Sequence, residues 1–524
     1  MKKFTGLVVI LAVLILGSYY GMGYLTEKKL KENLKLVNQS NGLKVEVENY
    51  NRGWFTSLAS LDWHLHIPEH VITTAAGQSQ TVPAEDYQLR MPVTIHHGPV
   101  IFANKTVKFG LGYAHTDLAL PPKIAEQFNN TFTSDSTQPK LDLSLLVSYM
   151  SNTNIDLSVP EFKLVSKNSN GGHLEWLGMT SATSVSSDKN KIAGNITVEG
   201  LRFTKDQTKT LMSTITSDYN LHRAQGGIFL GDASLSFPSL DVSLNDKKIL
   251  AMSQFDVHSD TNIEEGLFNS HFKTSLEKIV VNDKIYGPGN LEVGIRNLDA
   301  DALIKINEQV NQMQQGNDQQ RQQAVLAIIP QLPQLLSKGA EFEISELNFA
   351  MPEGKIEGNV LVSLPKTDVA NPFELIQKVQ GNGKIKIPAI VLRNVLIQSF
   401  QQRMVAAQQQ PQNIQQGIVQ QMQQQAIGQP ASPPSENANA APATSTTAPA
   451  TPAPATNTAP ATPPANEVEL TQQATTLADK QLAAMVQSGV LSVQGTDYLI
   501  EMSFSQGKLT VNGKPYDPAM LKLQ

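Results

Sequence analysis

The stretch SLDWHLHI, residues 60–67, alternates apolar and polar side chains without interruption, and this alternation decides the fold class. Successive side chains of an extended chain point to opposite faces, so the two kinds of residue separate onto two sides. The apolar side carries Leu61, Trp63, Leu65 and Ile67, and the polar side carries Asp62, His64 and His66. A period of two with one polar face predicts an antiparallel strand that is half buried and half wet.

The same alternation recurs from residue 43 to about residue 299, with turn residues between the runs. Helical spacing is predicted over 301–310, 322–336 and 390–410, and further strands over 342–349 and 356–364. Thr26 is expected to cap a short amphipathic helix, and residues 381–384 (GNGK) to form a tight turn. The sequence thus predicts a mainly β protein with added helices. An N-terminal transmembrane helix precedes an elongated curved antiparallel sheet, helical segments, and a C-terminal helix with strands.

Composition excludes several classes of protein. The chain has 41 basic and 47 acidic residues and a net charge of −6, which excludes a nucleic-acid binder driven by a globally basic surface. It contains no cysteine, which excludes disulfides, thiolate metal sites and cysteine nucleophiles. A long chain without thiols suits an oxidising compartment.

The N-terminus has the features of a membrane anchor. Lys2 and Lys3 precede an uncharged stretch, Phe4–Thr26, that would span about 35 Å as a helix, enough to cross a bilayer core. No small-residue cleavage site follows the apolar core, so an uncleaved signal anchor is favoured over a cleaved signal peptide. The expected topology is a short cytoplasmic tail and a periplasmic body, in the bacterial inner membrane. The anchor positions singled out are Phe4, Leu7, Leu11, Leu16, Gly17, Gly21 and Tyr24; the Gly-x-x-x-Gly spacing permits a homo-oligomer.

The chain divides by composition into five regions. These are a cytoplasmic tail and signal anchor (1–26), a periplasmic β-rich region (27–299), a mixed helix and strand region with a Gln-rich helix (300–427), a disordered linker (428–466) and a C-terminal helix with strands (467–524). The linker contains ten prolines, twelve alanines and one charged residue, and that composition cannot bury a core. The last region is expected to dock on the body, because it is too small for a core of its own.

Three short motifs carry a family resemblance. They are residues 50–57 (YNRGWFTS), 95–99 (IHHGP) and 507–515 (GKLTVNGKP). Their order after an N-terminal anchor resembles the YdgA-like family of bacterial envelope proteins, whose function is unassigned. The resemblance implies inner-membrane anchorage and a periplasmic β-rich body, and it supplies no catalytic residue, metal or cofactor. The motif positions are Arg52, Gly53, Trp54, Phe55, His97, Gly98, Pro99, Asn512 and Gly513.

Residues able to carry chemistry are few. The chain lacks the standard phosphate-loop, hydrolase and zinc-protease motifs. His64 and His66 could chelate a metal if a neighbouring strand added a ligand, although a solvated polar face fits the same pattern better. Residues 52–54 are interpreted as a hairpin tip whose tryptophan folds onto the sheet, or else as an aromatic surface for a partner or a lipid headgroup. Residues 97–99 predict a rigid turn that ends a strand.

Three functions from different classes remain open. The favoured one is a non-enzymatic, membrane-anchored envelope protein that binds or guides lipid along its curved sheet, by fold-level analogy with AsmA-like proteins. The alternative is a scaffold or assembly factor that binds other envelope proteins through sheet edges. A third is a metal-dependent enzyme that uses the region of His64, His66 and His97. A groove lined by apolar residues would favour the lipid-binding protein. A flat polar sheet would favour the scaffold, and converging histidine and carboxylate groups would favour the enzyme.

Overall fold

A computed structural model describes residues 2–38, 43–67, 70–73, 79–118, 120–168, 171–315, 328–367, 372–405 and 465–516. The linker predicted at 428–466, apart from its last two residues, lies outside the described residues. So does the part of the predicted Gln-rich helix that follows residue 405.

The helices include one long N-terminal element. They are α1 (Lys2–Val37), α2 (Pro122–Thr131), α3 (Ala300–Gln315), α4 (Leu332–Leu336), α5 (Pro372–Lys378), α6 (389–405) and α7 (Ala465–Ser488). The prediction that a separate helix begins at Thr26 is wrong, because α1 is continuous and the Thr26 hydroxyl donates to the Met22 carbonyl at 2.8 Å. A threonine bonded four residues back belongs inside a helix. Among the described residues, no helix is both long enough and apolar enough to count as a candidate membrane span.

The strands account for most of the regular structure. In the first third they are β1 (Leu43–Arg52), β2 (Thr56–Ile67), β3 (His70–Thr73), β4 (Ser79–Val82), β5 (Glu85–His97), β6 (Val100–Ala103), β7 (Thr106–Phe109), β8 (Gly112–Leu118) and β9 (Leu141–Val147). The middle third contains β10 (Thr153–Val159), β11 (Phe162–Val165), β12 (His173–Trp176), β13 (Met179–Val185), β14 (Lys191–Val198), β15 (Leu201–Lys205), β16 (Thr208–Met212), β17 (Ile215–Arg223), β18 (Phe229–Leu244), β19 (Lys247–Glu264), β20 (Leu267–Val281), β21 (Lys284–Tyr286) and β22 (Gly289–Asp299). The remaining strands are β23 (Glu341–Met351), β24 (Gly354–Ser363), β25 (Gln380–Pro388), β26 (Ser492–Gln494), β27 (Asp497–Ser505), β28 (Lys508–Val511) and β29 (Lys514–Pro515).

The predicted antiparallel sheet is confirmed. Its described strands follow one another in the order β1-β2-β5-β8-β9-β10-β13-β14-β17-β18-β19-β20-β22-β23-β24-β25, every neighbouring pair antiparallel. A branch of β11, β12, β15 and β16 joins the second half of β18. Strands near in sequence are near in space, as expected of a meander.

The chain forms two compact units. The first comprises residues 1–386 with 501–513, and the second 387–500 with 514–524. In the first unit Lys384 of β25 pairs with Glu501 at 3.0 Å. The docking of the whole C-terminal region stays a prediction.

The main core of the first unit lies where α1 packs on the sheet. Leu34 of α1 meets a buried set from three strands, among them Val45, Leu61 and Ile95. These strand residues occupy alternate positions, which is why the sequence alternation could be read as one buried face. This packing fixes the second half of α1 to the body.

Candidate functional site

The motif residues near 52–55 and 97–99, far apart in sequence, meet at one place on α1. The first motif lies in the turn between β1 and β2, and the second lies at the end of β5. Because β2 pairs with β5, Ser57 and Ile95 are opposite each other in register. The two motifs therefore form one surface against residues 19–27 of the helix, which we call the helix junction.

His97 is the buried centre of the helix junction. Its ring is 1% exposed. Nδ1 lies 3.2 Å from the carbonyl oxygen of Tyr19, and Nε2 lies 3.1 Å from the hydroxyl of Ser57. A neutral ring with its proton on Nδ1 satisfies both contacts, donating to the carbonyl and accepting from the serine. Burial lowers the pKa of His97, against the opposing effect of the Tyr19 carbonyl.

Two glycines allow the helix to approach this closely. A Cβ at Gly98, whose φ is +127°, would lie 1.9 Å from the Tyr19 ring, and a Cβ at Gly23 would lie 2.7 Å from the His97 ring. The Tyr19 hydroxyl donates to the carbonyl of Val100 at 2.7 Å. The strand-ending turn predicted at residues 97–99 thus also packs against the Tyr19 side chain of α1.

Arg52 and Trp54 contact the exposed side of the helix. The Arg52 guanidinium lies 5.0 Å from the ring centroid of Tyr20 and 5.6 Å from that of Tyr24, and it pairs with Glu27 at 3.4 Å. The Trp54 ring lies 5.4 Å from that of Tyr20 and stays 57% exposed. The aromatic contact of Trp54 is therefore with the helix, and the interpretation that Trp54 folds onto the sheet stays a prediction.

The protonation of His97 gives a testable pH dependence. A histidine with a lowered native pKa binds a proton less readily when folded, so its contribution to stability is lost as pH falls below about 6.5. We expect the free energy of unfolding to fall more between pH 7.5 and 5.5 in the wild type than in His97→Asn. Denaturant titrations at both pH values measure this difference. An equal fall in the wild type and in His97→Asn would contradict the prediction.

The other predicted site residues do not join the helix junction as a group. Tyr24 does, through Arg52. Gly17 and Gly21 have open space around them, and Leu16 is 43% exposed. The turn at 512–513 instead returns to its own strand pair, where the Asn512 amide donates to the Glu501 carbonyl at 2.7 Å. Three anchor positions have side chains outside the described residues: Phe4, Leu7 and Leu11.

His64 and His66 lie on the exposed face of β2. Their partners are carboxylates: His64 contacts Asp62 at 3.2 Å, and His66 contacts Asp86 at 2.7 Å. In the described part of the chain, no group of three or more histidine, cysteine or acidic residues has the geometry of a metal site. The structure also does not bring these two residues to His97, whose described ring partners are Ser57 and Tyr19.

A second candidate surface runs across strands β18 to β24. Successive strands place apolar residues opposite one another, in the pairs Leu235–Val257, Phe255–Leu276, Phe272–Val293, Val293–Ile344, Ile344–Val360 and Phe342–Val362. We call this set the apolar row. None of its members is buried, and Phe272 and Phe342 are 37% and 40% exposed. A sheet face this apolar is ordinarily covered by a second layer, so its partial exposure makes it a candidate binding surface.

The opposite face of the same strands is polar. His271 lies between two carboxylates there, 3.3 Å from Asp260 and 3.1 Å from Glu292. Lys273 pairs with Glu292 at 3.9 Å. The hydrogen bond from His271 is the main cause of the lowered pKa of Glu292. Polar and charged groups dominate here, so this face has the character of a solvated surface.

Sequence reasoning missed Ser57 and the contacts of Tyr19 with the body. Ser57 lies 40 residues from His97, and no local pattern connects them. The apolar row was visible only as alternation in separate strands. Its continuity depends on register, which the irregularities between 242 and 243 and between 344 and 347 help to set.

A family model described as a bacterial protein of unknown function (DUF945) matches residues 1–431 and 437–519. The chain is similar to Protein YdgA of Escherichia coli (strain K12), with 20% identity over 414 residues that cover 72% of this chain and 78% of that protein. No solved structure matches the chain.

Proposed function

The chain belongs to the DUF945 family of bacterial proteins of unknown function, and from that premise we propose that it is a membrane-anchored envelope protein that binds lipid along its sheet. The resemblance to YdgA-like proteins is thereby confirmed. The single observation that carries the lipid proposal is the apolar row.

The proposed anchor is the first part of α1. Its support is the uncharged stretch Phe4–Thr26, which follows two lysines and lies within one continuous helix. Such a stretch is long enough to cross a bilayer core of about 30 Å. The lysine-flanked start and the absence of cysteine favour the inner membrane with the body in the periplasm.

The proposed ligand is the acyl part of a phospholipid. The apolar row offers cross-strand aliphatic and aromatic pairs, with a polar face behind it. An acyl chain outside the bilayer loses about 0.8 kcal/mol for each CH₂ group left in water, so contact with this row lowers the cost of holding a lipid outside the bilayer. A protein partner docking through sheet edges has no comparable feature among the described contacts to recommend it.

Native mass spectrometry of the full chain, extracted in mild detergent, tests the proposal. We expect bound species with the mass of a membrane phospholipid, and we expect Phe342→Asp to lose most of them because a carboxylate interrupts the row. Glu343→Gln, on the opposite face of the same strand, is the matched control and should retain them. A bare chain, or lipid bound equally by both variants, would contradict the proposal; a stoichiometric metal would favour the enzyme alternative.

A further inference from the structure

The hairpin formed by β6 and β7 has one packed face and one exposed apolar face. Ile101 and Ala103 are buried against Tyr113. On the other face Phe102 is 71% exposed and Phe109 is 62% exposed, and their cross-strand partners are Val107 and Val100. The turn uses left-handed backbone at Asn104 and Lys105, the pattern of a tight two-residue hairpin. A short, rigid hairpin therefore presents a row of large apolar side chains to its surroundings.

This hairpin lies directly beside α1. The Tyr19 hydroxyl bonds to the Val100 carbonyl at the start of β6, and the Tyr19 ring packs edge-on against Phe55 at 4.9 Å. Trp54 and Phe55 are themselves more than half exposed. These exposed apolar residues belong to two elements that each contact α1, and we call them the collar: Trp54, Phe55, Phe102, Val107 and Phe109.

The length of the helix indicates what the collar touches. Residues 4–18, which precede the helix junction, rise about 22 Å as an α-helix, whereas the hydrocarbon core of a bilayer is about 30 Å thick. The uncharged stretch reaches about 30 Å only if residues 19–23, which pack on the body, also lie at membrane depth. The body residues around them must then enter the interfacial layer.

We infer that the collar is seated in the headgroup region of the bilayer, so that the body is held against the membrane surface and not merely tethered to it. The inference rests on the proposed anchor. Aromatic side chains are favoured at this depth, and the hairpin also carries Lys105 at its tip and Lys108 beside Tyr113 at 4.7 Å, which suit anionic headgroups.

The absence of cysteine allows a direct test. Phe102→Cys and Phe109→Cys, each the sole thiol of the full chain, are labelled with an environment-sensitive fluorophore and reconstituted into vesicles of phosphatidylcholine and phosphatidylglycerol. We expect a blue shift of the emission and strong quenching by lipids with a nitroxide at the headgroup. Leu211→Cys in β16, 50% exposed, is the control and should show neither change.

A second measurement avoids labelling the hairpin. The chain has three tryptophans, so Trp63→Phe with Trp176→Phe leaves Trp54 as the sole emitter, and brominated lipids should quench it.

Flotation of the full chain with the vesicles after a carbonate wash tests the anchor separately. If the chain floats but the probes at 102, 109 and 54 behave like the control, the collar inference is wrong and the anchor stands. If the chain does not float, both are wrong.

Discussion

Gly98→Ala is expected to lower the free energy of unfolding by about 2–4 kcal/mol, the sum of a strained backbone and a steric overlap. The φ of Gly98 is +127°, which a residue with a Cβ adopts only at a cost. The new methyl group would also lie 1.9 Å from the Tyr19 ring. That ring cannot move aside freely, because its hydroxyl holds the Val100 carbonyl and its edge packs on Phe55.

Denaturant unfolding of the full chain in detergent, followed by tryptophan fluorescence, measures the loss. Gly266→Ala is the matched control, since Gly266 also has a positive φ, +76°, but a methyl group on its Cα would meet nothing within 4 Å. We expect that variant to lose about 1 kcal/mol, the cost of the backbone alone. Equal losses in the two variants would mean that the helix junction does not hold α1 through the contact between Gly98 and Tyr19.

The strands could be predicted because their pattern is local. Alternation at 60–67 and 43–48 required only that one face be buried, and β1 and β2 follow it. The same reasoning fails at residues 381–384, where it predicts a turn but the residues lie within β25. A Cβ at Gly383 would lie 3.3 Å from the Met502 side chain, and a Cβ at Gly381 would lie 3.5 Å from Phe504. The neighbour of these residues is therefore β27, a strand more than a hundred residues away that no local pattern reveals.

The helix junction was beyond sequence reasoning for a related reason. The motifs at 52–55 and 97–99 could be identified from the sequence. Neither motif contains a pattern that predicts which helix packs on it. Trp54 illustrates this, because a hairpin-tip tryptophan packs on whichever apolar surface is nearest. Here that surface is Tyr20, and only the tertiary structure brings it there.

The apolar row makes a prediction with an all-or-none outcome. Phe272 and Lys273 are neighbours in β20 with opposite faces: Phe272 pairs with Val293 on the apolar row, and Lys273 lies across from Glu292 on the polar face. Both side chains are accessible, so accessibility does not distinguish them. A lipid chain lying along the row must contact the first and cannot reach the second through the sheet.

The most direct measurement is site-specific photo-crosslinking in cells, with benzoylphenylalanine placed at position 272 or at position 273 of the full chain. We expect a phospholipid adduct, identified by mass spectrometry of the purified chain, at position 272 and none at position 273. Adducts at both positions, at neither, or to a protein at position 272 would contradict the claim that this sheet binds lipid along its apolar face.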